Sequence, residues 1–347
     1  MSNSTNGSRR SDLGFIADQL DLYAPPILIL IGVTCNSLVI VIMRTRYFSN
    51  VSTSLYMCFN AIVDNITLLV AFPLHWLHVS FPELIYRGDY EDYICKVTYF
   101  IGVSTSNMGI VLTAAMTLER AVAIKFPLKA PSLCTKRKAK YVMLGLVMFV
   151  ALKDIHYLLK SKMVPKDFLA YLCEIDITNN ILRVYVNRVW PISQNIFLFL
   201  SFFVIIFSNL IITKSVRDAD KAAFTLQSED MNGRNIRATS NGLHRKSSKS
   251  RQLTVMLILD SVTIMVCTLP LALYDIIRPD FVDADVGHIV FCVIFYLVYV
   301  NRCANFFLYC ITGSRFRQAL RSICCGRRFG RKDSIYYIHQ TRESMYH

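Results

Sequence analysis

A chain of 347 residues in which 54% of side chains are apolar, 12% aromatic and only 18% charged belongs to the membrane class rather than among soluble domains. Its net charge of +14 would indicate nucleic acid only if the basic residues covered one folded surface. They lie instead between apolar runs, which excludes that partner, and the sequence shows no metal-ligand or nucleophile constellation, so neither an enzyme nor a cofactor or metal protein is expected.

Residues 1–21 are polar and carry the sequons Asn3-Ser4-Thr5 and Asn6-Gly7-Ser8, the mark of a glycosylated extracellular terminus where such a segment faces the lumen. They contain no apolar core, so no cleavable signal peptide is expected and the first long apolar run serves as a signal anchor. Further sequons at Asn50 and Asn65 fall in a cytosolic segment and in a membrane helix.

Seven apolar runs follow, each long enough to span a bilayer core of about 30 Å. Run 22–43 is uncharged, 51–82 holds one formal charge, Asp64, and 97–118 holds none. The third run rises roughly 33 Å at about 1.5 Å per residue and ends in the adjacent pair Glu119-Arg120. An acid beside an arginine at such a helix end holds the guanidinium until a cytoplasmic partner competes for it. Run 141–159 is the weakest, interrupted by Lys153-Asp154. Run 189–213 is uncharged, 252–274 holds Asp260 and 286–314 holds Arg302. The expected fold is therefore an all-α membrane protein, a seven-helix bundle over 22–314.

With the N-terminus outside, segments 44–50, 119–140, 214–251 and 315–347 are cytoplasmic and hold 26 Lys and Arg against 7 acids; the outer segments hold 10 against 14. Positive residues are retained on the cytoplasmic side, so the asymmetry gives N-out, C-in for seven helices, and the expected location is the plasma membrane. Segment 214–251 is Ser-, Asn- and Lys/Arg-rich without apolar period and reads as mostly disordered between two helix extensions. Its Arg245-Lys246-Ser247-Ser248 is either a basophilic kinase site or a solvated basic flank beside lipid headgroups.

Only Cys95 and Cys173 of the eleven cysteines lie in outer segments, where disulfides persist. Paired, they tie the top of the third helix to the outer loop between helices four and five. Beyond the seventh run, 315–325 places Phe316, Leu320 and Ile323 on one helical face and Arg315, Arg317 and Arg321 elsewhere, a short amphipathic eighth helix on the inner membrane surface. Cys324 and Cys325 after it are either S-palmitoyl acceptors or unmodified thiols, and 326–347 form a cytoplasmic tail.

Six features stand in order on successive runs. Asn36 lies in Cys-Asn-Ser-Leu-Val of the first and Asp64 in Asn-Ala-Ile-Val-Asp of the second. Cys95 and Arg120 are spaced by 25 along the third, with Pro127 beyond. Cys267-Thr-Leu-Pro270 lies in the sixth, Asn305-Phe-Phe-Leu-Tyr309 in the seventh, and Phe316 follows seven residues later. Together they resemble the rhodopsin-like class of G-protein-coupled receptors, in its neuropeptide-receptor branch. The resemblance implies an extracellular ligand held in the upper bundle and a heterotrimeric G protein engaged at the opened cytoplasmic ends, with arrestin and receptor kinases as further partners. It also implies that Glu119 restrains Arg120 at rest, that Tyr309 swings inward on activation and that Pro270 is the pivot of the sixth helix. The sequence departs from the class at Ala121, where its Asp-Arg-Tyr ends, at Thr268 in place of tryptophan and at Phe306 in place of proline.

Asp64, Asp260 and Arg302 are lone charges at membrane depth and hence functional candidates with Asn36 and Asn301. The class uses its helix-two aspartate for sodium; here Arg302 is expected to pair with Asp64 in sodium's place. Whether Asp260 competes for that arginine or hydrogen-bonds Asn305 stays open. For the ligand, the resemblance discounts amines, because Gly102 stands at the counter-ion position, and retinal, because Tyr299 stands at the lysine position. A peptide is favoured over a lipid or other small molecule by Pro73, by the long outer loop and by acids rimming the entrance, among them Glu83, Asp92, Glu174 and Asp285. Thr268 and Phe306 leave a constitutively signalling receptor as a further alternative, and a transporter or channel is disfavoured because neither inverted repeats nor Gly/Pro-broken helices in matching positions are found. The candidate pocket is His75, Trp76, Ser106, Thr268, Asp275 and Tyr299; Trp76 reads equally as an interfacial anchor.

Overall fold

A computed structural model describes residues 12–45, 47–48, 51–81, 91–164, 172–175, 180–230, 237–277 and 284–324. The helices are α1 (Asp12–Met43), α2 (Ser52–Ser80), α3 (Glu91–Lys125), α4 (Lys136–Lys160), α5 (Trp190–Asp230), α6 (Arg237–Ile277), α7 (Ala284–Thr312) and α8 (Ser314–Cys324). The first seven are long and apolar enough to cross a membrane. α3 runs through the middle, packed on α2, α4, α5 and α6, while α7 packs on both α1 and α6.

Polarity is inverted relative to a soluble core. Large apolar side chains point outward, among them Leu30, Leu144, Leu152, Leu200, Phe203 and Leu210, while Asn36, Asp64, Asn107, Asp154, Arg302 and Asn305 are buried between helices. Lipid solvates the first set, and interhelical hydrogen bonds satisfy the second.

Prolines shape three of the spans. Pro25 and Pro26 lie inside α1 and have no N–H to give the carbonyls of Asp21 and Leu22, four residues earlier. α2 supplies both donors: Ser80 Oγ reaches the Asp21 carbonyl at 3.1 Å and Trp76 Nε1 the Leu22 carbonyl at 3.0 Å. Pro73 and Pro191 are handled differently. Each follows by one residue a π turn, Thr67–Ala71 before Phe72 and Tyr185–Val189 before Trp190, in which the closing N–H reaches back five residues. One extra residue per turn absorbs the missing bond without breaking the helix.

Three boundaries differ from the sequence reading. α1 begins at Asp12 rather than 22, because Asp21 is buried against α7 instead of facing water. α5 continues to Asp230 and α6 starts at Arg237, so most of 214–251 is helical. Between Pro191 and Gly233 the sequence contains no glycine or proline to stop α5. α4 passes unbroken through Lys153-Asp154. Among the described residues there is also one antiparallel hairpin between α4 and α5, Ser161–Val164 with Leu172–Ile175, pairing Met163 with Cys173, its first strand lying against α3.

The turn from α7 to α8 requires Gly313, where a Cβ would meet the Tyr309 carbonyl at 2.7 Å and the Phe316 Cβ at 2.9 Å. Phe316 is fully buried against Phe48, Phe306 and Tyr309, and Arg317 donates to the Cys310 and Ile311 carbonyls at the end of α7. α8 is thus bolted to the bundle by an aromatic knob and a cationic C-cap.

Candidate functional site

Four helices converge on Arg302, which is 4% exposed at the middle of α7. Its Nη1 donates to Asp64 Oδ1 of α2 at 2.9 Å and its Nη2 to Ser106 Oγ of α3 at 2.7 Å. Asn305 and Asn60 donate to the other Asp64 oxygen at 3.3 and 3.1 Å, and Asn36 of α1 donates to the Arg302 carbonyl at 3.2 Å. The planar fork suits this geometry, because one arm neutralises the carboxylate while the other reaches a hydroxyl. Asp260, on α6 and also buried, takes neither Arg302 nor Asn305, both of which bond Asp64. Asn301 is half-buried one residue before the arginine.

Of the expected ligand pocket, His75 and Tyr299 share one neighbour, Phe295, at ring-centroid distances of 4.6 and 5.1 Å. Ser106 donates to the Gly102 carbonyl at 2.8 Å and accepts from Arg302, which makes it part of the polar core. Tyr299 is stacked on Phe72 with centroids 3.7 Å apart and has the Arg302 guanidinium 5.9 Å from its ring. Trp76 is committed to the Leu22 carbonyl. Of the remaining candidates, His75 lies against Phe295 at 4.6 Å and Thr268 is half-buried on α6. The side chains of Asp275 and Cys173, and residues Asn3, Asn6 and Cys325, lie outside the described ones. Cys95 is fully buried and disulfide-bonded, whereas Cys324 is an exposed thiol.

A second polar cluster closes a ring across α3, α4 and α5. Asn107 Nδ2 donates to Asp154 Oδ2 at 2.9 Å, and Lys153 Nζ donates to Asp154 Oδ1 at 2.6 Å. The same ammonium donates to Gln194 Oε1 at 2.7 Å, and Gln194 Nε2 returns to Asn107 Oδ1 at 2.8 Å. Lys153 also lies 4.4 Å from the Trp190 ring and 4.8 Å from that of Phe197. His156 packs on Trp190 and Tyr157, and Tyr185 of the π turn meets His156 edge-on at 5.5 Å. Burial, with the Asp154 charge, raises the Tyr185 hydroxyl above its ordinary range. Sequence reasoning treated Lys153-Asp154 as an interruption. The signal present was a paired charge inside an apolar run, with Asn107 and Gln194 as lone polar residues on the neighbouring helices.

At the other end, Glu119 does not hold Arg120. Its carboxylate accepts a hydrogen bond from Ser52 Oγ at the start of α2, where an anion also suits the helix N-terminus. Arg120 Nε and Nη2 have no hydrogen-bond partner among the described residues. Successive helix positions point about 100° apart and do not face each other, so adjacency in sequence does not make an ion pair. Cys134 Sγ lies 3.6 Å from the Glu119 carbonyl, and burial together with the Glu119 charge pushes its thiol up. Tyr309 is buried against Phe316, and Pro270 lies within an unbroken α6.

Seven membrane-length helices around a buried Asp64–Arg302 pair, closed by a short amphipathic helix, define a seven-helix membrane bundle. Residues 35–309 match the profile of the 7 transmembrane receptor (rhodopsin family), and the chain belongs to that family, whose members are receptors and not enzymes. It is similar to galanin receptor type 2 of Mus musculus, 22% identical over 312 residues, 86% of this chain and 74% of that receptor. It is also similar to the thyrotropin-releasing hormone receptor of Bos taurus, 24% identical over 331 residues, 89% of this chain and 79% of that receptor. A shorter match, 27% identical over 131 residues, covers 37% of this chain and 36% of cysteinyl leukotriene receptor 1 of Mus musculus.

Proposed function

We propose that this chain is a plasma-membrane receptor, N-terminus outside and C-terminus in the cytoplasm, that binds an extracellular peptide and activates a heterotrimeric G protein. One observation carries the peptide: likeness to receptors named for galanin and thyrotropin-releasing hormone extends over 86% and 89% of the chain, helices and connections alike. The acidic outer segments favour a cationic, C-terminally amidated ligand. His75, Thr268 and Asp275 meet it directly. Trp76, Ser106 and Tyr299 act through the helices and the polar core they hold together.

In this reading the Arg302 guanidinium stands where receptors of the class hold sodium. Arg120, whose Nε and Nη2 are unsatisfied, is the donor set presented to the G-protein helix, with Tyr309 and Pro270 as the moving parts. Glycans at Asn3 and Asn6, a Cys95–Cys173 bridge, palmitoyl groups on Cys324 and Cys325, and arrestin and receptor kinases as later partners complete the proposal.

A lipid-like acid is the second reading, favoured by the cysteinyl leukotriene receptor match and by the Lys153 ammonium among Trp190 and Phe197. The test is calcium and cyclic-nucleotide signalling in transfected cells challenged with amidated peptides and with anionic eicosanoids, using Arg120→Ala as control. A dose-dependent peptide response lost in the control supports the proposal. A response to the acids alone transfers it to the second reading, and high basal signal with neither ligand means constitutive coupling.

A further inference from the structure

Asp21, His288 and Cys292 bring a carboxylate, an imidazole and a thiol together where α1 meets the outer end of α7. Asp21 Oδ2 lies 2.9 Å from His288 Nε2, Asp21 Oδ1 lies 3.2 Å from Cys292 Sγ, and the three ligand atoms are all within 4.8 Å of one another. We propose that these three side chains form a binding site for a borderline-soft divalent cation, zinc first, that clamps the projecting end of α1 to α7.

The donor set decides the metal class. One oxygen, one nitrogen and one sulfur suit Zn²⁺, whereas calcium and magnesium take oxygen alone. The spacing is within reach as well. With bonds of about 2.0–2.3 Å, tetrahedral ligands sit about 3.3–3.8 Å apart, so the two Asp21 separations need to open by about half an ångström, while the His288–Cys292 separation, within 4.8 Å, needs to close by about an ångström at most. His288 and Cys292 are four residues apart on α7 and share one face.

Three further features point the same way. Tyr296, one turn deeper, donates its hydroxyl to Asp21 Oδ1 at 2.6 Å and orients the carboxylate, as outer-shell groups of metal sites do. The His288 side chain is 37% exposed against 11% for that of Asp21, leaving a route for the ion and room for water as fourth ligand. Charge also balances: on binding, the Cys292 S–H proton leaves to solvent and the sulfur bonds the metal, so carboxylate and thiolate together cancel the two positive charges. No sequence spacing announces the site, because Asp21 is separated from the other two by nearly the whole chain.

The experiment is titration of the purified receptor in detergent with ZnCl₂, and with CdCl₂ to read the thiolate-to-metal absorption band. Wild-type receptor is expected to bind one ion with that band and release of a proton. Cys292→Ser, whose hydroxyl still donates to Asp21, loses the band. His288→Gln weakens binding by at least about tenfold, and Tyr296→Phe weakens it by about tenfold. Equal stoichiometry and affinity in wild type, Cys292→Ser and His288→Gln would place the metal elsewhere and overturn the proposal, as would no binding at all.

Discussion

The indole N–H of Trp76 and the carbonyl of Leu22, 3.0 Å apart, join α2 to α1 at the peptide that Pro26 leaves without its helical donor. Ser80 does the same for Asp21 beneath Pro25. Two prolines that would weaken an isolated helix thereby become its attachment points, because a carbonyl in apolar surroundings must find a donor. Trp76→Phe should therefore lower stability by about 1–2 kcal/mol, read as a lower melting temperature of the purified receptor. The decisive measurement is a double-mutant cycle. Pro26→Ala restores an N–H for Leu22, so Trp76→Phe should cost markedly less in that background. Equal cost in both backgrounds would mean that the tryptophan acts by packing alone.

Arg302 and Asp64 are a buried pair, and breaking such a pair from one side costs roughly 3–5 kcal/mol, because the surviving charge is stranded. Arg302→Met should sharply reduce surface expression, and Arg302→Met with Asp64→Asn should recover most of it. A second readout tests the stand-in for sodium. Agonist binding in the wild type should be insensitive to sodium, whereas Arg302→Gln, with Asp64 intact, should become weaker in sodium than in potassium. Sodium sensitivity in the wild type would contradict the substitution.

The fold was legible because its signals are one-dimensional: apolar runs of spanning length, and lysines and arginines gathered on one side. Arg302 with Asp64 was legible for a related reason, since a lone charge in lipid needs a partner. What stayed hidden depends on direction around a helix axis. Glu119 and Arg120 adjoin in sequence yet diverge in space, and Ser106 faces Arg302. The reach of α1 past Asp21 was hidden because an acid that looks solvated is satisfied by His288, Cys292 and Tyr296 from the far end of the chain.

Lys153 and Asp154 should respond unequally to substitution. Asp154 is wholly buried, whereas the Lys153 side chain keeps 14% exposure and two aromatic faces. Asp154→Asn leaves the ammonium with Gln194 and those rings, at about 1–2 kcal/mol. Lys153→Met leaves a buried carboxylate with only the Asn107 amide, at roughly 3–5 kcal/mol. Thermal stability of the two variants side by side checks the order. The reverse order would mean that the ring is held by the lysine's desolvation rather than by the acid's need for a cation.

Cys134 reports the charges of Glu119 and Arg120. Its thiol is raised by burial and by the Glu119 charge, so less of it is the reactive thiolate at a given pH. Alkylation of Cys134, followed site by site by mass spectrometry at pH 7.5, should therefore be slow, and should quicken in Glu119→Gln by at least about twofold, because an anion beside the thiol has been removed. Arg120→Gln should act in the opposite direction, since the guanidinium lowers the same thiol. Equal rates in the wild type and both variants would mean that neither charge reaches the thiol. Opposed shifts would place both the acid and the guanidinium within electrostatic reach of Cys134 at this end of α3.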